Sequence, residues 1–202
     1  MKPIKLFIAA TLLLTINSYG QLDKGIWLVG GTGSFNSYKQ EQTFTWQSTG
    51  MESKTIYNNR EIEISAKVGY FVIDKLALGI TPTYSNFKQK SVTASDNTTH
   101  KFSIGPFARY YFLKKDKPFN ILAEANYQFG NLSVSDQPDA KGTSNKFSFL
   151  VGPEIFFNSS VGMEVLLGYK TYNQKMVESF YTSYIENGFQ IAVGFQIHLE
   201  KL

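Results

Sequence analysis

FSIGPFARYYF (Phe102–Phe112), LKKDKP (Leu113–Pro118) and FNILAEANYQF (Phe119–Phe129) follow one another without a break, and the fold turns on how they are read. In the first run Phe102, Ile104, Pro106, Ala108, Tyr110 and Phe112 share one parity. In the last, Ile121, Ala123, Ala125, Tyr127 and Phe129 do the same. The opposite parity carries Ser103, Gly105, Arg109, Tyr111, Asn120, Glu124, Asn126 and Gln128, with Phe107 and Leu122 as exceptions. A period of two is the signature of a strand. Two such runs joined by a short, charged, proline-ended connection make an antiparallel hairpin.

The pattern recurs on both sides. Residues 60–70, 76–85, 146–157, 161–170 and 188–199 each align apolar side chains at every second position. Ile62, Ile64, Ala66, Val68 and Tyr70 form one such row, and Phe189, Ile191, Val193, Phe195, Ile197 and Leu199 another. The Gly-rich run 25–36 is a further strand; its pattern leaves the facing open, with Trp27, Val29 and Phe35 chosen for the outer face. Eight strands result. Their connections alternate between tight turns (Asp74-Lys75, 113–118, Asn158-Ser159-Ser160) and long polar segments (37–59, 86–100, 131–145, 171–187), the asymmetry of outer-membrane barrels. The predicted fold is all-β, an eight-stranded antiparallel up-and-down transmembrane β-barrel.

Alternation by itself does not say whether the apolar face meets lipid or lines a ligand cavity, as in a soluble lipocalin-like barrel. Size decides. The apolar parity of strands two to eight is dominated by Phe, Tyr, Ile, Leu and Val and carries no charge, whereas the other holds Gly69, Gly79, Gly105, Gly152, Gly162, Gly168 and Gly194 with Ser, Thr, Asn and Gln. The interior of eight strands is just wide enough to be filled by side chains. The small polar set fits inside and the large set does not. A charge on the lipid face costs roughly 2–4 kcal/mol at the midplane, which accounts for the lack of charge there. Aromatic residues bunch at both strand ends, as two interfacial girdles would. Pro82, Pro106 and Pro153 sit inside strands of a barrel that has no free edge, so bulges or widened pairing are expected beside them.

The totals agree. The 202 residues suit one domain, and the net charge of +4 falls to +2 without Lys2 and Lys5, too little and too dispersed for nucleic acid. With no Cys there is no disulfide, thiol chemistry or thiolate metal site. Residues 1–20 read as a signal peptide: Lys2 and Lys5, an apolar run from Leu6 to Ile16 too short to span as a helix, and small residues at Ser18 and Gly20. Residues 21–202 are then the barrel domain.

Chemistry is confined to the inward parity. Charges in a narrow lumen must pair, and the predicted network joins Arg109 and Lys67 to Glu124, Glu154 and Glu164, the last two nearly opposite across the 158–160 turn. It reads either as a satisfied polar core or as a salt-bridge gate in a narrow pore. The lumen is too narrow for a paired-carboxylate glycosidase. His100 and His198 fall near opposite rims and cannot form a dyad, and Gly30-Gly31-Thr32-Gly33 opens no helix to hold a phosphate. No catalytic, cofactor-binding or metal-binding residue is assigned, and the chain is not expected to be an enzyme.

The stretches GYFVIDKLALG (from Gly69), SIGPFARYYF (from Ser103) and GFQIAVGFQIHLE (from Gly188) carry a resemblance to outer membrane β-barrel domain proteins of Bacteroidetes type, PorT-like small barrels of the broad OmpA/OmpX class. The likeness runs over essentially all of 21–202. It implies an outer-membrane monomer without a cofactor and brings no site residues with it. Leu202 departs from an aromatic terminus, and no domain for anchoring to peptidoglycan is expected. The expected partners are membrane lipid, the outer-membrane assembly machinery and a surface ligand or protein met through the long segments, where Phe44, Trp46 and Tyr181 are candidate contacts. The expected role is structural or adhesive, with a polar-filled lumen rather than an open pore. The rivals are a narrow transporter for small solutes and a soluble ligand-binding barrel.

Overall fold

Ten strand segments arise from the alternating runs: β1 (Trp27–Thr45), β2 (Glu52–Ile73), β3 (Leu76–Ile80), β4 (Thr83–Ser91), β5 (Asn97–Ile104), β6 (Pro106–Tyr111), β7 (Phe119–Val134), β8 (Gln137–Phe156), β9 (Val161–Met176) and β10 (Ser183–Leu199). The computed structural model describes residues 21–45, 52–91, 97–115, 117–134, 137–176 and 183–200. The predicted signal peptide and the candidate contacts Trp46 and Tyr181 lie outside these residues. All pairings are antiparallel, and β1 pairs with both β2 and β10, so the sheet closes on itself. β3 continues into β4, and β5 into β6, in one register, so the ten segments make eight barrel staves.

The ladders fix the stagger. Stepping from Trp27 through Tyr70, Leu78, Ala108, Ala125, Phe149 and Tyr169 arrives at Phe189 on β10, while the direct partner of Trp27 on β10 is Leu199, ten residues further along. Eight staves with that shear tilt by about 40° and leave an interior of side-chain width.

The prolines break hydrogen bonds without shifting register. Thr81-Pro82 and Gly105 separate the paired segments at the same height, bridged by Thr81 N–H to Gly105 O at 2.8 Å and Ala66 N–H to Pro82 O at 2.9 Å. At Pro153 the ladder to β9 lapses for two residues and resumes in register. No bulge forms there; of the two accommodations expected it is the lapse in pairing that occurs, while the neighbouring pairs hold the register. Register does shift at the Asp74-Lys75 turn, between Phe71 and Ile73, where Lys75 takes a left-handed φ of 66°.

The long polar segments correct an expectation. They are mostly strand, not loop. The β1–β2 ladder runs on from Phe35↔Ile62 to Thr45↔Glu52, about 33 Å of additional hairpin. The polar composition of these segments carries no apolar stripe, so period two is hidden there. Phe44 lies in this extension, its backbone opposite Ser53.

The facing follows the size argument. Ile64, Phe102, Phe129, Leu167 and Phe195 stand on the outer wall, more than half exposed to the barrel's surroundings, while Arg109, Glu124, Glu154 and Glu164 are buried. On β1, Trp27 and Phe35 point out and Leu28 points in. Edge-on ring pairs mark both borders of the apolar band: Trp27–Tyr70 and Tyr110–Phe112 beside the short turns, Tyr127–Phe129 and Tyr169–Phe189 beside the long hairpins.

Candidate functional site

The lumen is filled in three tiers. The lowest, at the short-turn end, is apolar. Phe71, Tyr111, Leu122 and Phe156 lie there with Leu22 and Ile26 from the segment before β1, in one apolar cluster that also extends up the wall to Phe107 and Leu150, past Arg109 and Glu154. Leu122, an exception to the inward polar rule, belongs to this tier; Phe107, the other exception, stands one inward position above Arg109 on β6. Phe107 fits because Gly69 and Gly79 lie beneath its ring: a Cβ at either would fall within 2.7 Å of it.

Residues 21–26 close the mouth. Gly25 N–H donates to Phe71 O at 2.9 Å, Lys75 N–H to Leu22 O at 2.8 Å, and Gln21 Nε2 to Asn158 O at 2.9 Å. Lys115 on the 113–118 turn clamps the segment to the 74–75 turn through Asp23 and through Asp74 at 2.6 Å. Hydrogen bonds from Lys115 and from the Lys24 N–H hold the Asp74 carboxyl below the usual carboxylate range; those to Asp23 and Asp74 push the Lys115 ammonium up.

The middle tier brings the five predicted charges together. Arg109 is the hub. Its Nε and Nη2 donate to Glu124 Oε2 at 2.8 and 2.6 Å, and its Nη1 lies 2.8 Å from Glu164 Oε2 and 3.7 Å from Glu154 Oε2. Lys67 Nζ is 2.8 Å from Glu124 and 3.5 Å from Glu164. Glu154 and Glu164 are direct Cα partners across β8–β9. Three residues that the sequence reading left out complete the tier. Tyr111 Oη donates to Glu154 at 2.6 Å, Gln196 Nε2 donates to Glu164 at 2.9 Å, and His198 places Nε2 3.0 Å from Glu154 Oε1 and Nδ1 2.9 Å from Gln21 O. Their signal was parity: each falls on the inward row of its strand. The space beside inward glycines goes to other side chains than Arg109 and Lys67. Glu154 occupies that over Gly162, and Gln196 that over Gly30.

The upper tier is built of lysines. Lys146 pairs with Glu63 and Lys170 with Glu61, each at 2.7 Å, and Lys101 lies 3.6 Å from Glu61 and 4.2 Å over the Tyr172 ring. Between the middle and upper tiers a cavity of about 20 Å³ holds room for a single water, beside the unpartnered Thr81 Oγ1 and Asn126 Oδ1.

His198 sits at the plugged end. His100 lies on the outer wall near the long hairpins, with Nδ1 2.7 Å from Tyr84 Oη. Among the described residues, no cluster of His, Asp or Glu side chains is disposed to hold a metal ion, and no helix is long and apolar enough to cross a membrane, which has no bearing on crossing by strands.

Comparison with known proteins accords with this geometry. Residues 6–196 match the family model described as outer membrane protein beta-barrel domain. Among solved structures the chain is similar to the outer membrane protein OprG of Pseudomonas aeruginosa, with a TM-score of 0.63 and 10% identity over 91% of this chain and 99% of that one. It is also similar to Neisserial surface protein A, with a TM-score of 0.52 and 19% identity over 86% of this chain and 97% of that one. At such identity the likeness is one of fold. No curated protein sequence matches the chain.

Proposed function

Because the chain belongs to the outer membrane protein β-barrel domain family, and so lies in the outer membrane, we propose that it works as a sealed barrel that presents four extended hairpins outside the cell for structural or surface contact. The observation that carries this reading is the filled lumen: an apolar plug, a dry charge network and a lysine tier in series. Closure of β1 on β10 leaves no free edge, which supports a monomer in lipid, delivered by the outer-membrane assembly machinery. The reading is non-enzymatic, since the two histidines stand at different ends of the barrel. The stretches from Gly69, Ser103 and Gly188 support the finer placement among PorT-like small barrels of Bacteroidetes type.

Planar-bilayer recording tests the proposal. The wild-type protein should give no steady single-channel current at any moderate potential. A steady current would overturn the sealed reading and favour a narrow channel for small solutes.

A further inference from the structure

In the membrane the ring of staves closes without a free edge. Above the long-hairpin girdle that closure lapses at one seam. β1 and β10 pair from Trp27↔Leu199 to Ser34↔Ala192 and no further. Beyond that point β1 runs on to Thr45 bonded to β2 alone, and β10 between Ser183 and Ile191 is bonded to β9 alone. Other neighbours stay together higher up, β2–β4 to Tyr57↔Ser91, β4–β5 to Gln89↔Asn97 and β8–β9 to Gly142↔Met176. The wall of hairpins therefore ends in two strand edges that have no partner strand among the described residues.

The two edges differ. The β1 continuation SYKQEQTFT (Ser37–Thr45) carries Lys39 and Glu41 in its sequence, and charge on an edge is the usual guard against strand addition. On β10 the outward row reads Ile185, Asn187, Phe189 and Ile191, all exposed and none charged. Phe189 shows what is missing. It is 87% exposed, whereas Phe147 and Tyr169 in the same girdle are each 46% exposed. Those two have cross-strand partners on both sides; Phe189 has one on the β9 side only. The backbone points the same way. His198 donates its N–H to Ser160 O on the β9 side, and the β9–β10 register holds without a shift. Alternation then turns the N–H and C=O of Ile185, Asn187 and Phe189 toward the side that β1 has left. Between them Gly188 has open space where a side chain would stand.

Free donors and acceptors at strand spacing, with apolar side chains beside them, call for another strand. We infer that the β10 edge above the membrane binds an extended peptide segment of another protein, added as a strand antiparallel to β10. Peptide residues opposite Ile185 and Phe189 are apolar and face outward, and the one opposite Asn187 is polar. The residue opposite Gly188 is large, because the glycine leaves room for it. The inference rests on the surface-contact reading of the hairpins and names their partner. It does not depend on the sealed lumen, so a current through the barrel and a failure to bind peptide are separate outcomes.

The test is fluorescence-anisotropy binding of a labelled peptide of alternating Val and Thr with one Tyr to the detergent-solubilised full barrel. The same peptide, N-methylated at the alternate residues that would pair with β10, is the control and should not bind. Asn187→Pro removes an N–H that faces the empty side and none that is bonded to β9, so the barrel keeps its ladder. It should weaken binding on the order of tenfold or more. Ile185→Lys, which sets a charge on the edge, should weaken binding as well and carries the test if the proline variant does not fold. No saturable binding to the wild type, or unchanged affinity in the variants, would overturn the inference. Equal binding of the N-methylated peptide would do the same, since adsorption to an apolar surface needs no backbone pairing. A wild-type barrel that dimerises in analytical ultracentrifugation, and is monomeric with Asn187→Pro, would assign the edge to a second copy of this chain and sink the peptide reading.

Discussion

The middle and upper tiers of the lumen use the same chemistry under different solvation. In the middle, one guanidinium serves three carboxylates, and Arg109, Glu154 and Glu164 are 0% exposed. Above, lysines pair with Glu61 and Glu63, and the Lys146–Glu63 side chains keep 9% and 13% of their surface. Arg is suited to the dry position because its planar fork meets several carboxylates at once and is more weakly hydrated than an ammonium. Lys suits a tier that water still reaches. The difference teaches that depth in the barrel, not charge count, sets how strongly each pair is held.

Breaking the hub is the harshest way to probe this contrast. Arg109→Ala leaves three buried carboxylates facing Lys67 and should cost about 3–5 kcal/mol, read as a lower unfolding midpoint in denaturant titrations of the lipid-embedded barrel. The loss should barely respond to salt. A cost below about 1 kcal/mol would mean that water already enters the middle tier.

Lys146→Ala probes the upper tier. It should cost about 1 kcal/mol or less, and the gap from wild type should narrow at high salt, because a pair near water is screened. If its cost equalled that of Arg109→Ala and ignored salt, the two tiers would be equally dry and the contrast would fail.

The smallest effect is expected at the clamp below both tiers. Asp74 is held below its ordinary pKa, so its contribution is present above the unfolded value near pH 4 and is lost as pH falls through the folded one. Hydrogen-exchange protection at the Gly25 and Lys75 amides should therefore persist at neutral pH and fall below about pH 4. In Lys115→Gln that acid step should be much reduced. An undiminished step in the variant would place the titrating group elsewhere.

How much of this was legible differs by tier. The middle charges could be read because charged residues at inward parity in a narrow barrel have nowhere else to go, and the 158–160 turn sets Glu154 opposite Glu164. Tyr111, Gln196 and His198 share that parity but carry no net charge that demands a partner, so nothing in the sequence alone singles them out. The plug was illegible. Residues 21–26 have no period, and their role rests on hydrogen bonds to the backbone of Phe71, Lys75 and Asn158, residues far away in the chain.

The sequence by itself determined the strands, their facing and the outer-membrane setting, because period two and the split between large apolar and small polar residues are local properties that lipid and a narrow lumen both enforce. It also determined that the inward charges must meet. Only the tertiary structure decided the ten-residue stagger, the in-register passage past Pro82 and Pro153, the extension of polar segments into hairpins, and the sealing of the mouth. Those depend on which residue pairs with which around a closed ring, and closure is a property of the whole sheet rather than of any strand within it.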